Sequence, residues 1–281
     1  MTKLSNVTIL LAASAGIIAT PALADGPLTA KVEVFSGYND PASASVTTHN
    51  GFAGGIAPTL TLNAGHGIGI QADGLLARVN GTTTVAGGGH LYWRNPSKGL
   101  IGIAGSLSSN TAGNFGFNNT VNGQKIGAEA ELYLKRFTLS GAAGYEHTSY
   151  NLFFVPSSAS NFYSKANIAY YPNDNWKISV GHRYINGTHA AAMGTELSLT
   201  GHGATGVSIF AEGRFGEKSY NSAFTGIKIY FGGKKTLIDR QRTEDPENEL
   251  KNDGSVQAPT CAPQKARKIS AEQSCGSYNL S

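Results

Sequence analysis

The stretch Ser222-Ala223-Phe224-Thr225-Gly226-Ile227-Lys228-Ile229-Tyr230-Phe231 sets the terms on which the chain must fold. Thr225, Ile227, Ile229 and Phe231 fall on one side of it. Phe224, Gly226, Lys228 and Tyr230 fall on the other. Side chains of a β-strand alternate between two faces, so this is a strand with one apolar and one mixed face. One strand cannot satisfy its own backbone groups, so the rest of the chain must supply partners on both edges.

Working back toward the N-terminus, the same alternation recurs. Segments at about 28–38, 51–62, 67–79, 83–94, 99–107, 123–134, 136–148, 161–171, 175–186, 193–200, 204–215 and 221–231 all read as strands. In the sixth, Ile126, Ala128, Ala130, Leu132 and Leu134 oppose Glu129, Glu131 and Tyr133. In the seventh, Phe137, Leu139, Gly141, Ala143 and Tyr145 oppose Thr138, Ser140 and Glu146. In the ninth, Trp176, Ile178 and Val180 oppose Lys177, Ser179 and Arg183. Tight connections stand at Asn63–His66, Asn95–Lys98, Lys135-Arg136, Pro172–Asp174 and Gly201–Gly203. They alternate with longer ones at Asn39–Asn50, Asn80–Thr82, Ser108–Asn122, Ser149–Ser160 and Gly187–Ala192, with Gly216–Tyr220 the weakest of that set. Asn-Gly pairs at 80–81, 122–123 and 186–187 suit strand corners.

Short turns at one end and long loops at the other are the layout of a transmembrane barrel. The expected fold is therefore all-β: a closed antiparallel transmembrane β-barrel of about twelve strands over residues 25–231, with ten or fourteen as neighbouring counts. An even count puts both chain ends on the short-turn side. A secreted β-sandwich competes, since it too has short strands and Gly-rich turns. Three features weigh against it. The apolar faces are rich in Ala, Gly and aromatics, which suits lipid. Aromatics cluster near strand ends, at Tyr92-Trp93, Tyr145, Tyr150, Phe162-Tyr163, Tyr170-Tyr171, Trp176 and Tyr184, as interfacial girdles would. The opposite faces carry too many charges for a dry core.

Composition agrees. Of 281 residues 36 are Gly, only 14% are charged, and the net charge is +4 without any long basic run, which argues against nucleic acid as a partner. No apolar stretch after residue 24 is long enough for a membrane helix, and a mean hydropathy of −0.17 fits strands that alternate. Residues 1–24 read as a secretory signal peptide: Lys3, an apolar run from Val7 to Thr20, then Pro21-Ala22-Leu23-Ala24 before Asp25.

Gly226, Ile229 and Phe231 resemble the assembly signal on the last strand of bacterial outer-membrane β-barrels, although Phe224 departs from its usual polar start. The resemblance implies a Gram-negative outer membrane, with barrel-assembly machinery and membrane lipid as partners. A short run past Phe231, with Leu237-Ile238, Arg240-x-Arg242 and Asp245-Pro246, is similar to uncharacterised, porin-like barrels of alphaproteobacteria. It implies no activity.

Carrying the alternation through places Lys31, Glu33, Asp73, His90, Arg94, Glu129, Glu131, Lys165, Lys177, Arg183, Glu212, Arg214 and Lys228 inside. Unpaired charge in low dielectric is costly, so these groups must be wetted or paired. Two readings follow: a narrow aqueous channel for a small polar solute, in an envelope or export role, or a cross-linked, closed structural or binding barrel. The Ser108–Asn122 loop is long enough to fold inward as a constriction.

No cofactor motif is found, and His182 and His189 could bind metal only if a third ligand came close. The Gly87-Gly88-Gly89 run sits within a strand, where it permits close packing or a bulge. His147-x-Ser149 with Asn161 resembles outer-membrane phospholipase A, itself a twelve-stranded barrel. That resemblance implies Ser149 as nucleophile, His147 as base and Asn161 as its orienter, although Tyr150-Asn151 departs from the family pattern. The chain thus leans toward a non-enzymatic role, with a lipid hydrolase as the alternative. Residues 232–281 are expected to form a largely irregular periplasmic tail. It holds both cysteines, Cys261 and Cys275, whose disulfide an oxidising periplasm would favour.

Overall fold

A computed structural model describes residues 27–40, 51–79, 82–114, 117–152, 155–199, 205–217, 221–244 and 246–253. The proposed signal peptide and both cysteines lie outside the described residues.

Twelve antiparallel strands close into one barrel: β1 (Leu28–Asp40), β2 (Gly51–Gly65), β3 (Ile68–Val79), β4 (Thr82–Asn95), β5 (Gly99–Asn114), β6 (Phe117–Leu134), β7 (Phe137–Leu152), β8 (Val155–Asn173), β9 (Trp176–Ile185), β10 (Thr188–Ser198), β11 (Thr205–Gly216) and β12 (Asn221–Phe231). Each strand pairs with its chain neighbours, and β1 pairs with β12 from Ala30↔Phe231 to Asp40↔Asn221. Closure removes both sheet edges, so the ladder satisfies its own backbone polar groups.

Alternation sets the two faces. Phe52, Ile101, Leu107, Ile126 and Tyr145 are at least 60% exposed on the outside, while Lys125, Glu129 and Glu131 of β6 and Glu146 of β7 point inward and are buried or half-buried. A water-soluble sandwich would hide the first set and expose the second. The girdle reading needs one correction. Trp93, Tyr145, Phe162, Tyr170 and Trp176 face out, but Tyr92, Tyr163 and Tyr171 are buried inside. Adjacent residues of a strand point opposite ways, so a pair such as Tyr170-Tyr171 cannot serve one girdle. The side chain of Tyr150 lies outside the described residues.

The long-loop expectation also needs correction. Most of Ser108–Asn122 is strand: β5 and β6 pair as far as Asn114↔Phe117. Likewise β7 and β8 pair as far as Leu152↔Val155, and β9 joins β10 through Asn186-Gly187 alone. Asn186 at φ 51° and Gly187 at φ 69° give the left-handed pair that a two-residue hairpin needs. The extensions are rich in Ser, Thr and Asn and lack an apolar alternation. Backbone pairing continues past the apolar band, but nothing there selects apolar residues.

The chain does not stop at the barrel wall. After Phe231 it turns at Gly233 (φ 87°) into α1 (Leu237–Thr243), continues through 246–249, and ends its described part in α2 (Leu250–Asp253). Residues 237–244 and 246–251 lie in the barrel mouth and lumen.

Candidate functional site: a charged lumen and the segment inside it

All thirteen residues expected in the lumen point inward. Lys31, Glu33, Asp73, Arg94, Glu129, Lys177, Arg183, Arg214 and Lys228 are buried, and His90, Glu131, Lys165 and Glu212 are half-buried. Neighbouring strands bring many of them together. His90 bridges Asp73 at 3.0 Å and Glu129 at 2.8 Å. Glu33 lies 3.7 Å from Lys31 and 3.6 Å from Lys228. Tyr133 donates to Glu131 at 2.7 Å, and Arg94 stacks 4.7 Å over the Tyr92 ring. Arg183 donates to Asn167 at 2.9 Å.

Some wall partners lie outside those thirteen. Lys125 meets Glu146 at 3.3 Å. Glu196 accepts from Ser208 at 2.6 Å, Tyr230 at 2.5 Å and Lys228 at 3.0 Å. Both follow from the same alternation, since Lys125 stands two residues before Gly127 and four before Glu129.

The larger omission is the C-terminal segment. Thr236 caps α1, its hydroxyl accepting from the Asp239 N–H at 3.3 Å while donating to the Asp239 carboxylate at 2.6 Å. Leu237 and Ile238 are buried against the short-turn mouth. There the Leu237 N–H donates to Asn175 Oδ1, the Ile238 N–H to the Asp174 carbonyl, and Arg242 to the carbonyls of Lys135 and Phe137. Arg240 pairs with Glu244 at 3.1 Å and lies against Gly206 of β11. A Cβ at Gly206 would come within 2.8 Å of that guanidinium, so glycine makes the room.

The segment then climbs through the lumen. Gln71 donates to the Pro246 carbonyl, and Asn248 donates to the Thr59 hydroxyl at 3.2 Å. Glu247 lies 3.4 Å from Lys177 and 3.9 Å from Lys228. Glu249 lies 3.5 Å from both Lys165 and Arg183. Leu250 packs into an apolar cluster with Phe35, Leu75, Ala86, Phe210 and Phe224. Lys251 meets Glu33 at 2.5 Å and Glu212 at 3.4 Å. The triple glycine finds its use here: β3 and β4 keep register through Gly87–Gly89 without a bulge, and a Cβ at Gly88 would come within 3.3 Å of the Leu250 side chain.

Charge tunes the segment. Burial pushes the Glu249 carboxyl up, but Lys165 and Arg183 outweigh it and hold the group at about 2. Lys177, then Lys228, hold Glu247 well below the usual carboxylate range, although its side chain is 40% exposed to lumen water that screens them. Burial lowers the Lys251 ammonium, and Glu212 and Glu33 more than reverse this, so it stands above an ordinary lysine.

The hydrolase arrangement is not assembled. His147 faces outward and meets Ser160 Oγ at 2.8 Å. Ser149 shares its face but pairs opposite Ser158, and Asn161 sits opposite Glu146 on the inner face. Strand alternation therefore holds the orienting Asn away from the His. His182 and His189 meet at 3.1 Å on the outer face beside Tyr184. Ile229 and Phe231 face outward on β12, while Gly226 faces inward beneath the Phe210 ring.

No protein-family model and no curated protein matches the sequence. Solved structures with similar barrels include the translocator domain of the autotransporter NalP from Neisseria meningitidis, 11% identical, covering 80% of this chain and 95% of that one at a TM-score of 0.48. The β domain of the Bordetella autotransporter Brka is 10% identical, covering 73% and 99% at 0.49. The KdgM porin is 10% identical, covering 70% and 97% at 0.44. The membrane reading rests on the barrel itself. A closed barrel with an apolar outer band and charges inside is an integral membrane protein.

Proposed function

We propose that this chain is a narrow outer-membrane channel held shut by residues 237–244 and 246–251 of its own C-terminal segment. One observation carries the reading: Glu247, Glu249 and Lys251 form ion pairs with strands β1, β8, β9, β11 and β12 inside the lumen. A purely structural barrel has no use for a separate, polar segment down its axis, because wall charges alone can cross-link. Two small openings flank the segment, one lined by Lys177, Arg183 and Glu249 and the other by Glu131, Tyr171 and Gln241. On this reading residues 1–24 export the chain. The last strand is read by barrel-assembly machinery, and the short-turn mouth with α1 faces the periplasm.

The test is single-channel recording in planar bilayers. The full chain is expected to stay near the closed baseline. The full chain carrying Glu247→Ala, Glu249→Ala and Lys251→Ala is expected to give discrete current steps. A triple variant that still migrates as a folded, heat-modifiable barrel but passes no current would favour a closed structural or binding barrel instead.

A further inference from the structure

The charges of the lumen are not evenly mixed. Among the described residues, the inner face of β8–β12 carries five cations, Lys165, Lys177, Arg183, Arg214 and Lys228. Only Glu196 and Glu212 answer them from the same wall. The facing wall, β1–β7, has the reverse excess: Glu33, Asp73, Glu129, Glu131 and Glu146 against three lysine or arginine side chains and His90. The segment inside the barrel matches this division. Its carboxylates, Glu247 and Glu249, meet the cationic wall, and its ammonium, Lys251, meets Glu33 of the acidic wall and Glu212.

We infer that the cationic wall is a binding site for small polycarboxylates, which Glu247 and Glu249 occupy as a built-in substitute. The inference deepens the channel reading and rests on it for the route by which solute arrives. Two carboxylates two residues apart, each clasped by two cations, are the chemistry of a di- or tricarboxylate. The opening beside them is bordered by Lys177, Arg183, Arg214 and Lys228, with Glu196 and Glu212 on the same lining. The fit of the substitute is incomplete. The buried Nε–H of Arg183 and one oxygen of Glu249 have no partner among the described residues. A guanidinium with a spare donor is suited to bidentate carboxylate binding. When the segment withdraws, Lys165 and Arg183 lose the Glu249 carboxylate, and Lys177 and Lys228 lose Glu247. An anion from solution restores the lost charge.

Calorimetric titration of citrate into the full chain in detergent tests this. Glu247→Gln/Glu249→Gln is expected to bind citrate at least tenfold more tightly than the unaltered chain. Adding Lys177→Gln and Arg183→Gln is expected to remove the gain. Spermidine, at matched ionic strength, is expected to show no gain. Equal citrate affinity in the unaltered chain and the double variant, or an equal gain with spermidine, overturns the inference. If the double variant does not form a heat-modifiable barrel, Glu249→Gln alone carries the test, with a smaller gain in the same direction expected and none overturning it. The two readings fail separately. Citrate binding by a variant that passes no current sinks the channel and leaves the site. Current without tighter citrate binding sinks the site and leaves the channel.

Discussion

Glu33 shows how much one lumen residue holds together. It is fully buried on β1, with Lys251 at 2.5 Å, Lys228 at 3.6 Å and Lys31 at 3.7 Å. A buried pair is weak evidence for stability, but removing one partner strands the others. Breaking such a pair costs about 3–5 kcal/mol. Glu33→Gln should therefore lower the temperature at which the folded gel band converts to the unfolded one. Lys251→Met in the same background should return part of the loss, because one stranded ammonium is gone. Additive effects of the two changes would mean that the pair is not coupled. Glu33 itself was legible in the sequence: a charge on the outer face would sit in lipid, so alternation alone places it inside. Its partner was not. Lys251 lies 218 residues further on, in a stretch with no period-2 pattern, and nothing local in that stretch says which cavity it enters.

At the scale of elements, the strands were legible wherever lipid selects one face, and less so above it. All twelve were placed from alternation, but β5–β8 run well past their expected ends because Ser, Thr and Asn pair as strands there without an apolar face. The helix α1 left a readable signal that was passed over. Thr236 with Asp239 three residues on is the spacing of a capping box, with the apolar pair Leu237-Ile238 between them. Two lysines before it and two arginines within it made the run look like a solvated tail. Those arginines instead reach Glu244 and the carbonyls of the β6–β7 turn. Ile238 and Leu237 anchor the element, and fully burying such a side chain stabilises by about 1.5–3 kcal/mol. Ile238→Asp should undock α1 while leaving the barrel closed. Limited proteolysis should then cut between Gly232 and Asp253, with the barrel fragment still heat-modifiable. Protection equal to that of the unaltered chain would show that α1 is held by its polar contacts alone.

For the whole molecule, the docked segment makes closure depend on pH, and the sign follows from two groups. Glu249 faces Lys165 on β8, Arg183 on β9 and Arg214 on β11, with Glu247 beside it. Its pKa falls from an ordinary 4.5 to about 2 on docking. A lowered carboxyl pKa favours docking fully above the undocked value and loses that contribution as pH falls through the docked one. Lys251 faces Glu33 on β1, Glu212 on β11 and Lys228 on β12, and docking raises it above its ordinary 10.5. Its contribution is complete below 10.5 and is lost only as pH rises through the raised value. Closure should therefore be flat from about pH 5 to pH 10, and weaken on the acid side between 4.5 and 2. Bilayer recordings at pH 7, 4 and 3 should show openings that grow more frequent only at the two lower values. Glu249→Gln removes one of the two segment carboxyls that docking lowers, Glu247 being the other, so it should raise openings at pH 7 and reduce the acid response. An acid response of unchanged size in Glu247→Gln/Glu249→Gln would place the sensor on the barrel wall and not on the segment that fills it.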